Sequence, residues 1–294
     1  MMNAPVEHAA ERVSALLRRV VAPNGGPFTY KGTCSYIVGH GEVAIIDPGP
    51  ADPRHLDALR AAITGERLKY ILVTHTHRDH SPAARALKEA TGATIAGCAP
   101  YTPSPNIAIV GPGLDASHDA AYAPDLILRE GDRLDLPDAT IETLETPGHT
   151  ANHLCFALLE EKALFTGDHI MGWSTTVVAP PDGSMADYME SLENLRLRDD
   201  RIFWPGHGEP VRDPTRYLRA LVHHRHAREA AILQRLAEGD DTIPQMVARL
   251  YEGVDKRLHG AAAMNVFAHL EDLVGRGLVE SEGPPRPAGR YSLR

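Results

Sequence analysis

An α/β layered fold with a small C-terminal winged-helix-like module is predicted by three features of the sequence. Short apolar, β-branched runs alternate with helical stretches in the first part of the chain, an order that builds layered sheets. Polar turns rich in His and Asp follow directly beyond several of those runs, where such folds carry their chemistry. From residue 239 onward the pattern changes to two short helices and a terminal pair of strand-like runs, which divides the chain into 1–238 and 239–294.

Residues 13–20 open with a short amphipathic stretch carrying Val13, Leu16, Leu17 and Val20. Residues 28–38 and 42–47 read as strands joined by the Gly39-His40-Gly41 turn, the second running into Asp47-Pro48-Gly49-Pro50. Asp52 and Pro53 form a cap-and-start pair for a helix with Leu56, Leu59 and Ile63, closed by Gly65. The apolar run 69–73 reads as a buried strand that ends at a cluster of histidines. Ser81 can cap and Pro82 can open a helix over 83–90, which Gly92 stops. Residues 100–124, rich in Pro, Gly, Ala and Asp, read as a long surface loop or partial lid. Further strands are expected at 140–145, 153–159, 163–166 and 201–204, followed by a helix over 214–236.

The cluster after the third strand holds His75, His77, Asp79 and His80, four metal-binding side chains within six residues. His75 and His77 are two apart and project alike from an extended segment, whereas zincin histidines sit four apart on a helix. Asp79 and His80 follow on the turn and could face a second ion. Three later strand ends repeat the arrangement: Thr146-Pro147-Gly148-His149, Gly167-Asp168-His169 and Pro205-Gly206-His207. Any one turn could be plain punctuation, but the repetition at strand ends points to one shared metal site.

Composition narrows the alternatives. The formal net charge is −9, so no global basic field draws this chain to nucleic acid or to an anionic membrane. Cys34, Cys98 and Cys155 are too few and too scattered for a disulfide framework and contain no CxxC pair. The first residues carry charges throughout and no long apolar core, so neither a signal peptide nor a membrane span is read there, and a cytoplasmic location is the default expectation.

The ordered set HxHxDH (His75, His77, Asp79, His80), His149, Asp168 and His207, with Asp47 after an earlier strand, resembles the metallo-β-lactamase superfamily. The resemblance implies a four-layer αβ/βα sandwich with a dinuclear site at one edge. It implies that His75, His77 and His149 hold one ion, that Asp79, His80 and His207 hold the other, and that Asp168 bridges them. Asp79 and Asp47 are the carboxylates expected to serve catalysis, Asp47 by orienting the site from behind. Two zinc ions per chain are expected, with iron or manganese as alternatives. The stretches APNGGPFTYKGTCSYIVG, THTHRDHSPAARAL and VVAPPDGSMADYMESLENL are similar to the β-lactamase-like protein 2 group. Cys34 departs from the Asn expected in the GTxSY turn, which leaves a contact at the pocket edge open. The best-known zinc β-lactamases use a cysteine ligand where this chain offers Asp168, so antibiotic hydrolysis is not the expected activity.

Nitrogen and carboxylate ligands suit zinc, and two ions about 3.5–4 Å apart can share a hydroxide that is nucleophilic near neutral pH. The leading expectation is therefore a dinuclear zinc hydrolase attacking an ester, thioester or related acyl bond of a small metabolite. Two alternatives stand beside it: a single-strand endoribonuclease using the same two-metal site, and a mononuclear iron sulfur dioxygenase built on His75, His149 and Asp168.

Other residues carry both a functional and a structural reading. His169 could touch the site or point away, His153 suits a structural hydrogen bond, and Tyr36 could line the pocket or pack in the core. His223, His224, Arg225, His226 and Arg228 lie on the helix over 214–236, whose apolar face is expected to carry Leu218, Leu221, Ala227, Ile232 and Leu236. The basic residues could receive a substrate phosphate or carboxylate, or form a solvated face. Cys98 and Cys155 read as small buried hydrophobes. In the tail, eight acidic against seven basic residues from 240 to 294, and no Lys or Arg over 261–274, disfavour nucleic-acid reading and favour packing or a homodimer contact.

Overall fold

Two sheets, each buried on both faces, organise the chain in the computed structural model, which describes residues 9–103 and 118–294. The chain opens with β1 (Glu11–Arg12) and β2 (Leu17–Val21), so the amphipathic opening is a pair of antiparallel strands. β3 (Cys34–Val38) begins later than the expected position 28, because Gly26 and Tyr30 first pair across a tight turn and Tyr30 takes a left-handed φ of 56°. β4 (Glu42–Ile46) leads to α1 (Pro53–Ala62), where the Asp52 side chain accepts from Arg54 N–H at 2.8 Å as its cap. β5 (Arg67–Val73) is followed by α2 (Ala83–Thr91), which Gly92 closes in the left-handed conformation.

The Ser81 cap is not formed. Pro82 occupies the cap position, and Ser81 Oγ donates instead to Asp119 at 3.1 Å. β6 (Thr94–Gly97) and β7 (Leu126–Ile127) complete the first sheet, with neighbours in chain order from β1 to β7 and parallel pairing from β4 onward. Of the loop expected over 100–124, residues 104–117 lie outside the described residues.

β8 (Arg133–Asp135), β9 (Thr140–Glu145), β10 (Leu154–Leu158) and β11 (Ala163–Gly167) form the second sheet with β12 (Ile202–Pro205), which pairs parallel to β11. Its alternation shows how the layers arise. Leu154, Phe156 and Leu158 of β10 pack with Ile45 and Leu72 of the first sheet and with Leu59 and Leu87 of the helices beyond it. Cys155 and Ala157, on the opposite face, pack against α3 (Met185–Arg196) and α4 (Pro214–Ala237) through Leu192 and Leu221. The result is the expected four-layer αβ/βα sandwich.

The tail holds α5 (Ile243–Leu250), α6 (His259–Gly275) and the antiparallel wing of β13 (Val279–Ser281) and β14 (Tyr291–Leu293). A capping box, Thr242 with Gln245, starts α5. The tail's own core of Met246, Phe267, Leu270 and Tyr291 closes on Ile232 and Leu236 at the end of α4, while Ala268 of α6 packs into the core beneath the second sheet. Cys34, Cys98 and Cys155 are buried free thiols. Among the described residues, no helix is long and apolar enough to cross a membrane.

Phe267 is fully buried where α6 meets α4 and α5. Phe267→Ala is expected to destabilise the protein by about 3–5 kcal/mol, the usual range for emptying such a site. Denaturant unfolding measures it, and a loss below about 1 kcal/mol would mean that the tail packs more loosely than described.

Candidate metal centre

The strand ends of both sheets meet at one edge, and the seven donor side chains meet there. Asp47, at the end of β4 with φ 49°, accepts from Thr74 N–H and Thr74 Oγ1 at 2.8 Å each and lies 2.9 Å from His80 Nδ1. It thus ties the end of β5 to the turn that carries His80, yet it is not among the residues that line the cleft described below. Asp47 acts on the site through His80.

The histidines are fixed from behind by their outer ring nitrogens. His75 Nδ1 lies 3.0 Å from Thr74 Oγ1, His149 Nδ1 donates to Val177 O at 2.7 Å, and His207 Nδ1 donates to Gly32 O at 3.3 Å. With those nitrogens engaged, the opposite nitrogens of these three rings face inward. His75, His77, His149 and Asp168 converge as one donor group, and Asp79, His80 and His207 as a second, the donor atoms of each lying within 4.8 Å of one another.

Asp168 joins the two groups. Its Oδ1 lies 3.4 Å from His207 Nε2 and 3.5 Å from His80 Nε2, while its Oδ2 lies 3.8 Å from His149 Nε2. Oδ1 is buried without a hydrogen bond, a costly condition for a carboxylate oxygen unless a cation meets it. Five imidazoles and two carboxylates aimed inward fit divalent ions of the zinc type, and the described set contains no thiolate donor.

The charge states differ between the groups. Burial, reinforced by neighbouring histidines, holds His75 and His77 well below the ordinary imidazole value, and burial also lowers His149. Burial opposes protonation of His80 as well, but Asp79, Asp168 and Asp47 outweigh it and raise it well above the ordinary value. For His207 burial is likewise outweighed, chiefly by Asp168, and its pKa is raised to about 10. Asp79 and Asp168 stay ionised despite burial because the same histidines pull them well below the usual carboxylate range.

Two close approaches complete the floor. A Cβ on Gly206 would lie 2.7 Å from His80 Cε1 and 2.8 Å from Asp168 Oδ1, so only glycine fits there. Thr33 Oγ1 donates to Asp79 Oδ2 at 3.2 Å.

The remaining expectations divide. His153 takes the structural role, near Thr146 Oγ1 at 2.9 Å and accepting from Asp168 N–H at 3.2 Å. His169 is not among the converging donors, and its ring packs 4.6 Å from that of Tyr188. Tyr36 is core, donating to Pro205 O at 2.7 Å, and Cys34 is buried beside Gly208. Neither reading of the basic helix face holds for Arg225. It is buried, lies 4.7 Å over the Tyr188 ring, and donates to Thr176 O at 2.6 Å and to Asn265 Oδ1 at 3.3 Å. His223 and His226 are exposed, and so is Ala227, which was expected on the apolar face.

Arg225 and Asn265 reach the site through one loop. Asn265 Oδ1 also accepts from Val178 N–H at 3.0 Å, and Thr176 Oγ1 donates to Asp168 O at 2.7 Å. Residues 176–178 therefore carry supports for both Asp168 and His149, clamped from α4 and α6. Sequence reasoning missed Thr33, Thr176 and Asn265, although Thr33 lay inside the stretch APNGGPFTYKGTCSYIVG and Asn265 inside the segment 261–274.

The centre opens into a cleft of about 400 Å³ whose floor is His77, Asp79, His149, Asp168 and His207. One wall comes from residues 27–29 and 171–177, and the other from Tyr251 to Asn265 of the tail.

Known proteins share this fold. Residues 29–207 match the model of the metallo-β-lactamase superfamily, and residues 242–286 match the β-lactamase associated winged helix domain. The chain is 30% identical to a β-lactamase-like protein 2 homolog of Caenorhabditis elegans over 92% of this chain and 88% of that one. It is 28% identical to an atrochrysone carboxyl ACP thioesterase of Aspergillus terreus over 95% of this chain and 85% of that one. A metallo-β-lactamase family protein of Thermus thermophilus superposes with a TM-score of 0.74 at 25% identity, covering 96% of this chain and 100% of that one.

Metal uptake is expected to release protons, because an ion must displace them from His80 and His207. Lowering the pH favours the protons, so apparent zinc affinity should fall from about pH 8 to about pH 6, by about tenfold per pH unit for each proton displaced. Titration in weakly buffered solution with an indicator measures this, and an affinity independent of pH would contradict it. Gly206→Ala should weaken zinc binding by at least about tenfold, as losses of ligand support do, while circular dichroism stays unchanged; unaltered affinity would refute the close approach.

Proposed function

The chain belongs to the metallo-β-lactamase superfamily and is a metal-dependent hydrolase, and from that premise we propose that it cleaves acyl thioesters with two zinc ions. The observation that carries this reading is the pair of adjacent donor groups, Asp168 of the first lying 3.4 Å from His207 and 3.5 Å from His80 of the second, at the base of one cleft. The name of the Aspergillus terreus relative, a thioesterase, favours the thioester among acyl substrates.

His75, His77 and His149 would hold one ion, Asp79, His80 and His207 the other, and Asp168 would serve both. Bound there, two divalent ions supply Lewis acidity toward a carbonyl oxygen and ionise a water near neutral pH. The chain's own groups do the rest. Asp79 lines the cleft as a carboxylate and can accept the proton of the attacking water. In the hydrolysis a C–O bond forms at the acyl carbon, the C–S bond breaks, and the proton goes to the departing sulfur. Asp47 holds His80 in place throughout without touching substrate.

His75, His149 and Asp168 alone could also make the facial set of an iron dioxygenase. The second donor group beside them favours two ions and hydrolysis.

The zinc-loaded protein is expected to release thiol from acyl thioesters of N-acetylcysteamine, followed with a thiol-reactive dye. Asp79→Asn should lower kcat/KM by about 10²–10⁴-fold, the range for a lost proton-transferring group that also holds metal. Thiol release that survives this substitution, or chelation of the metal, would sink the proposal.

A further inference from the structure

Large apolar side chains in the described residues are mostly buried, yet three exposed ones gather at one place. Phe28, Trp173 and Val254 are 51%, 36% and 40% exposed, and all three line the cleft above the donor groups. A fourth, Tyr30, stacks on Trp173 with ring centroids 5.2 Å apart and planes 12° from parallel, which stiffens the rim. Apolar surface of this kind around a functional floor marks a ligand site more than a defect of packing.

The two walls come from different parts of the chain. Phe28, Met171 and Trp173 stand on the sandwich side, while Tyr251, Val254 and Leu258 stand on the tail side. No Lys or Arg lines the cleft among the described residues, so its walls offer nothing to a phosphate backbone. The candidate metal-binding floor is continuous with these apolar walls, so a molecule whose carbonyl sits at the floor has apolar surface on both sides for its acyl tail. A volume of about 400 Å³ accommodates on the order of ten water-sized groups, taking about 30 Å³ for each.

We propose that this cleft is an acyl-chain site, that its occupant is the medium-length apolar acyl group of the thioester, and that the tail module supplies the wall that selects for it. The inference rests on the thioesterase reading for the identity of the substrate head, while the apolar walls define the chain. Selection follows from area: each methylene that passes from water into the cleft adds a similar increment of binding until the space is filled.

The test uses the zinc-loaded full chain and straight-chain carboxylates from acetate to decanoate, read by tryptophan fluorescence. Trp173 lines the cleft and Trp204 is buried in the core, so Trp173→Phe identifies the reporting ring. The dissociation constant should fall about fourfold per added methylene, the factor that corresponds to about 0.8 kcal/mol per buried CH₂, and then level off. Val254→Asp, at an exposed position that leaves the core alone, should weaken decanoate by at least tenfold and flatten the series. A dissociation constant independent of chain length, or a series unchanged by Val254→Asp, would overturn the acyl-chain site. Thioester turnover with a flat series would remove this site and leave the hydrolase reading. An intact series without thioester turnover would remove the thioesterase reading and leave the site.

Discussion

Buried charge is the constraint on which the rest of this structure depends. Five imidazoles and two carboxylates are held so that neighbouring donor atoms lie as close as 3.0 Å, five of the side chains buried and His77 and Asp79 partly exposed at the cleft floor. Such a cluster stays together only where every member is anchored from outside, since the members repel or strand one another when left alone. Asp47 ties β5 to His80, Val177 O and Gly32 O hold His149 and His207, and Gly206 leaves the space that His80 and Asp168 share. The sandwich meets this demand because loops at the ends of two sheets can bring backbone carbonyls and side chains to one edge.

The same constraint links the tail to the centre. Arg225 on α4 and Asn265 on α6 grip residues 176–178, and that loop in turn supports Asp168 and His149. A tail that also walls the cleft is thus part of the site's geometry, more than an appended module. Its winged-helix plan does not present a basic reading helix: His269 and Phe267 of α6 are buried, and Ala261, Ala262 and Asn265 face the cleft.

Much of this was legible in the sequence, for physical reasons that also explain the failures. The candidate donors sit on turns directly after apolar strands, so strand ends and candidate donors could be read together, and the structure brings the side chains of His75, His77, Asp79, His80, His149, Asp168 and His207 to one place. Local rules served well where the partner is a near neighbour in sequence, as with the Asp52 cap and the Gly92 stop. They failed where the partner comes from elsewhere. Ser81 turned to Asp119 rather than to its own helix, and Arg225 looked like a solvated residue because its acceptors, Thr176 O and Asn265 Oδ1, are distant in the chain. Ala227 was misassigned because α4 is covered by the sandwich in one half and by the tail in the other, which blurs a single apolar stripe.

The central claim is that these seven side chains hold two ions through a shared Asp168. Elemental analysis of purified protein tests it most directly, with Asp168→Ala measured beside the unsubstituted chain. Two zinc ions per chain, falling to one or fewer on the substitution, is the predicted result. A single iron per chain, or a metal content that Asp168→Ala leaves unchanged, would contradict the account.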